Sequence, residues 1–189
     1  MRSADFMAPR RPSTQFVHAG ERLKHPIGRP VATPIYATSA FTYDSMEEVD
    51  KVFSGDGGDF VYTRYGNPTI AALQDALVTL EAGTAACAYS SGMAALHAAL
   101  FACELAPGST VLASQDLYGA TFDLLYKVFG SAGVKTVTAD FNDLEAVRAK
   151  AAASKPTVLL AETISNPLLK VCDLAAIAAI GKEVGARMM

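Results

Sequence analysis

The sequence predicts an α/β fold built on a mostly parallel sheet, on three observations. Short apolar runs at 85–89, 110–113, 135–138 and 157–161 alternate with helix-patterned stretches at 92–105, 120–129, 144–152 and 174–184. Alternation of this kind implies right-handed crossovers, which lay the strands parallel and put helices on both faces. The 189 residues are 51% hydrophobic and 19% charged, a balance that suits an ordinary globular core.

The first sixty residues follow a different rule. Pro9, Pro12, Pro26, Pro30 and Pro34 exclude long regular elements, so 1–60 is expected to be an extended arm and 61–189 the compact part. Within the arm, Ser45 stands three residues before Glu48, the spacing of a capping box, and predicts one short helix to about Phe53. Gly55-Asp56-Gly57-Gly58 breaks it. After Asn67-Pro68, the residues Ile70, Leu73, Leu77 and Leu80 recur at helical spacing and predict a helix over 69–80, with Gly83 as its stop. The last helix closes at Gly185, and Arg187-Met188-Met189 reads as the opening of another buried strand.

Charge and composition exclude several function classes. With 16 Lys and Arg against 19 Asp and Glu, the net charge is −3 and there is no basic patch for nucleic acid. No apolar run approaches bilayer length, and Met1–Phe6 is not followed by an apolar signal region, so a cytoplasmic protein without membrane attachment is expected. Cys87, Cys103 and Cys172, and His18, His25 and His97, have neither disulfide-framework nor metal-ligand spacing. No metal is implied.

Ligands of open α/β sheets sit beyond the carboxyl ends of the strands, which directs attention to four segments. Ser90-Ser91-Gly92-Met93 lies between a strand and a helix, where free N–H groups suit a phosphate or where Ser simply caps the helix. Leu117-Tyr118-Gly119-Ala120-Thr121 puts a ring beside a glycine; Tyr118 either stacks on a flat ligand or is a half-buried packing residue. Glu162-Thr163-Ile164-Ser165-Asn166-Pro167 offers a carboxylate and an amide to the polar edge of a ring, or is a turn held by Asn-Pro. In Tyr62-Thr63-Arg64-Tyr65-Gly66-Asn67-Pro68-Thr69 the phenol and the guanidinium, two residues apart in an extended segment, can point the same way and suit a phosphate; a solvated arginine is the other reading.

In order and spacing these four motifs, together with Thr14–Gly20 and Pro34-Ile35-Tyr36, resemble the Cys/Met-metabolism family of pyridoxal-phosphate enzymes. That family includes cystathionine γ-synthase, cystathionine lyases, methionine γ-lyase and the homoserine-ester sulfhydrylases. The resemblance implies the aspartate-aminotransferase-like architecture (fold type I), with 61–189 as the first part of the cofactor domain. It implies pyridoxal 5'-phosphate as cofactor and γ-replacement or β/γ-elimination on cystathionine or homoserine-ester type substrates, hence small sulfur amino acids. It further implies that Ser91, Gly92 and Met93 cradle the cofactor phosphate, that Tyr118 stacks on the pyridine, and that Glu162 and Asn166 lie at the ring edge. Tyr62 and Arg64 would reach the phosphate of a neighbouring subunit, in a homodimer or homotetramer with shared sites. Ala120 stands where many members have glycine and methionine γ-lyases have cysteine, which disfavours that subgroup, and Ile164 replaces a common proline.

The family's Ser-x-Thr-Lys segment, whose lysine forms the Schiff base, has no counterpart among Lys24, Lys51, Lys127, Lys135, Lys150, Lys155, Lys170 and Lys182. No catalytic residue is therefore assigned, and the 189 residues alone are expected to be inactive. The alternative is a non-catalytic chain that associates with full-length subunits. An unrelated nucleotide-binding domain is disfavoured by the lack of a Gly-x-Gly-x-x-Gly turn.

Overall fold

The computed structural model describes residues 30–56 and 60–189. Pro9, Pro12, Pro26, the Thr14–Gly20 motif, His18, His25, Lys24 and the Gly57-Gly58 breaker lie outside the described residues. The chain divides between Ala88 and Tyr89 into two compact units.

In the first unit, Ser45 caps α1 (Met46–Ser54) by accepting the Glu48 N–H, and the Glu48 carboxylate reaches back to the Asp44 N–H at 3.1 Å. Gly55, at φ 83°, closes the helix in the left-handed conformation that favours glycine. Asn67 caps α2 (Pro68–Leu80), its side-chain oxygen taking the Thr69 N–H at 2.9 Å, and Pro68 opens the first turn. The rest of that buried amide is also satisfied: Nδ2 donates to the Tyr36 carbonyl at 3.0 Å and to Thr63 Oγ1 at 3.2 Å. Residues 34–40 are thereby tied to 62–69, with an antiparallel bridge between Ala40 and Tyr62. The stripe Ile70, Leu73, Leu77 and Leu80 that predicts α2 is exposed.

The second unit holds α3 (Gly92–Ala102), β1 (Thr110–Ser114), α4 (Gly119–Asp123), β2 (Lys135–Ala139), α5 (Leu144–Ser154), β3 (Val158–Leu160), α6 (Leu174–Val184) and β4 (Arg187–Met188). The sheet order is β2-β1-β3-β4, parallel throughout. Alternation along the strands feeds two cores. Val111, Ala113, Val158 and Leu160 pack with Leu100, Leu125 and Phe129 on one face; Leu112 and Leu159 pack with Val147, Ala151, Ile177 and Ile180 on the other.

Two expectations need correction. The apolar run 85–89 is no strand, because it is almost wholly exposed and pairs with no described residue, whereas a strand exists only through a neighbour's hydrogen bonds. The helix predicted over 92–105 stops at Ala102, since Glu104 takes φ 57° and no helix continues through a left-handed residue.

The helix beginning at Gly119 continues as a π-helical stretch, Leu124–Phe129, closed by the Gly130 N–H on the Leu125 carbonyl at 2.8 Å. A Cβ on Gly130 would collide with the Tyr126 carbonyl. Gly130→Ala should therefore lower unfolding free energy by about 1–3 kcal/mol, as an overpacked site does. Urea denaturation checks this; an unchanged midpoint would show that the wide turn recloses without strain.

Candidate active site

Because β1, β2 and β3 run parallel, the loops that follow them gather at one edge of the sheet, the edge where ligands bind in such folds. Tyr118 ends the β1 loop at φ −52° and ψ 134°, and makes no side-chain cap of its own. Its ring is half-exposed, and the space above Gly119 is open: a Cβ there would touch nothing within 4 Å. The Tyr118 N–H donates to Glu162 Oε1 at 2.8 Å, so the carboxylate following β3 is held against the backbone that carries the ring.

The loop after β3 is a hairpin of its own making. Ile164 bridges Val171, the Ser165 N–H donates to the Lys170 carbonyl at 2.9 Å, and the Lys170 N–H returns to Ser165 Oγ at 3.0 Å. Asn166 sits exposed at its turn, joined to Pro167 by a cis peptide bond. Cys172 Sγ donates to the Glu162 carbonyl at 3.4 Å, and burial pushes this thiol above its ordinary range.

At the start of α3, Ser91 Oγ accepts the Ala94 N–H at 3.1 Å, so its hydroxyl does serve as a cap. The Gly92 and Met93 N–H groups precede the helical ladder, and space is open where a Gly92 side chain would be. Capping and anion binding are thus compatible here: the hydroxyl meets one donor and leaves the first two for a ligand.

Tyr62 and Arg64 belong to the first unit. The segment is a turn rather than extended, closed by the Tyr65 N–H on the Tyr62 carbonyl at 2.9 Å, and it is this turn that brings the Arg64 guanidinium to 5.2 Å from the ring centroids of both Tyr62 and Tyr65; all three side chains are exposed. Asp116 and Lys170, which no sequence pattern singles out, meet carboxylate to ammonium at 2.9 Å between the β1 and β3 loops. The hydrogen bond to Asp116 holds the Lys170 ammonium above its ordinary pKa. Among the described residues no cluster of metal-ligating side chains occurs, and no helix is long and apolar enough to cross a membrane.

The profile of the family described as Cys/Met metabolism PLP-dependent enzyme matches residues 13–189. Cystathionine gamma-synthase of Mycobacterium leprae is 40% identical over 177 residues, covering 94% of this chain and 43% of that protein. L-methionine gamma-lyase of Fusobacterium nucleatum is 38% identical, covering 88% and 41% respectively. Among solved structures, metB from Corynebacterium glutamicum superposes with a TM-score of 0.72 at 34% identity, covering 93% of this chain and 43% of that one. Cystathionine gamma synthase from Xanthomonas oryzae pv. oryzae, in complex with cystathionine, gives 0.66 at 31% identity, covering 96% and 44%. The chain therefore spans less than half the length of the relatives it matches.

Proposed function

The chain belongs to the Cys/Met metabolism PLP-dependent enzyme family, and from that premise we propose that it supplies the arm (1–60) and the first part of the cofactor domain (61–189) of a trans-sulfuration enzyme. The reaction is γ-replacement or β/γ-elimination on cystathionine or a homoserine ester, in a homodimer or homotetramer whose sites are shared between subunits.

The observation that carries this reading is the 2.8 Å hydrogen bond from the Tyr118 backbone N–H to Glu162, which holds a carboxylate against the backbone that carries a half-exposed ring, beyond the carboxyl ends of a parallel sheet. The residues fit a flat, phosphorylated heteroaromatic. Two N–H groups at the start of α3 with open space at Gly92 suit the phosphate, and the room above Gly119 lets a ring lie on Tyr118. Bound there, pyridoxal phosphate supplies an electron sink for the electron pair left on the substrate carbon. The protein's part is orientation. Tyr118 fixes the plane of the ring, Glu162 and Asn166 present hydrogen-bonding groups to its edge, and Arg64 with Tyr62 adds a cation and a phenol at a neighbouring subunit's phosphate.

The test uses the protein as its gene produces it. It should take up pyridoxal phosphate with visible absorption and turn over cystathionine, or a homoserine ester in the presence of cysteine or sulfide. Failure to take up the cofactor and to act on any of these substrates would sink the proposal.

A further inference from the structure

The loops that carry Tyr118 and Glu162 are also joined by an ion pair outside the candidate site. Lys170 is fixed at both ends. Its backbone exchanges two hydrogen bonds with Ser165, which is only 5% exposed, and its ammonium meets Asp116 at 2.9 Å. Asp140, after β2, lies 4.0 Å from the same ammonium. Three loops at one sheet edge thus converge on one cation.

Exposed ion pairs seldom contribute measurably, but the Asp116 side chain is 11% exposed and its partner is 54 residues away in sequence. The pair spans the same two loops as the Tyr118–Glu162 hydrogen bond: Asp116 stands two residues before Tyr118, and Lys170 anchors the hairpin that carries Glu162 and Asn166. We propose that Asp116 and Lys170 form a positioning pair that sets the β1 loop, with its stacking ring, in register with the β3 hairpin and its ring-edge groups. This rests on the reading of Tyr118, Glu162 and Asn166 as cofactor-binding residues. Neither Asp116 nor Lys170 is placed on the cofactor; they act through the residues they hold.

Amide exchange on the full chain without cofactor tests the staple. Lys170→Met should speed exchange of the Tyr118 amide about tenfold while the Leu112 amide, in the middle of β1, keeps the parent rate. Asp116→Asn should do the same, and Lys170→Arg should restore the parent value. In the same protein, Lys170→Met should raise the Kd for pyridoxal phosphate about tenfold, because a site whose two loops must be ordered on binding gives up affinity to that ordering. Tyr118 exchange unchanged in both disrupting variants would overturn the proposal. So would Tyr118 and Leu112 opening together, which marks the pair as a general stabiliser, or altered exchange with unaltered cofactor affinity. A parent protein that takes up no pyridoxal phosphate would instead sink the proposed function, leaving the exchange data to decide the staple alone.

Discussion

Leu112→Ala is expected to destabilise the protein by about 3.5 kcal/mol, the middle of the range for emptying a buried leucine site. Leu112 is 0% exposed in the central strand, with β2 on one side and β3 on the other, so the backbone around it is held by two ladders and cannot close over a void. Its neighbours Leu159, Val147, Ile177 and Ile180 come from three different elements, and collapse toward the gap would have to move two helices at once. Val137 on the edge strand β2 is only partly buried beside the same cluster, and Val137→Ala should cost about 1 kcal/mol, a smaller transfer loss with more freedom to relax. Urea unfolding followed by circular dichroism measures both. Equal losses at the two positions would mean that the helix-covered face is not a close-packed core.

What the sequence discloses is what is local. Ser45 could be read as a cap because a cap needs only its own next three residues, and it lies where that reading puts it. The stretch 174–184 reads as a helix with the observed bounds because its apolar period and the following Gly185 agree. The run 85–89 has the composition of a strand, yet strand identity lies in a neighbour, and no local pattern reports whether one is present. The π-helical stretch at 124–129 likewise leaves no mark in periodicity. Within the candidate site, Tyr118 and Glu162 were visible as chemistry placed after strands, but their mutual hydrogen bond was not. Asp116 and Lys170 were invisible for a plainer reason. A pair separated by 54 residues follows no period, and each member alone reads as a solvated surface charge.

Mixing two inactive variants should restore activity if Tyr62 and Arg64 serve a neighbouring subunit, as proposed. One variant carries Arg64→Ala, which removes the cation offered to the partner's phosphate and leaves its own ring-binding residues intact. The other carries Tyr118→Ala with Glu162→Ala, which disables its own ring contacts and leaves its Arg64 and Tyr62 intact. In a hybrid dimer one of the two sites combines Tyr118 and Glu162 from the first subunit with Arg64 from the second, and is complete. Random pairing makes half the dimers hybrids, so roughly one site in four should be complete. The starting variants should each be nearly inactive, Arg64→Ala because a charge-assisted phosphate contact is lost and the double variant because stacking and ring-edge contacts go together. The 5.2 Å approach of the Arg64 guanidinium to the Tyr62 and Tyr65 rings supplies a control: Tyr65→Leu should weaken the exposed platform on which the cation lies without removing the charge, and should lower activity less than Arg64→Ala does. Subunits are mixed after reversible dissociation, and hybrid formation is verified by mass spectrometry of the intact dimer. Hybrids that form and stay as inactive as their parents would show that Arg64 acts within its own subunit.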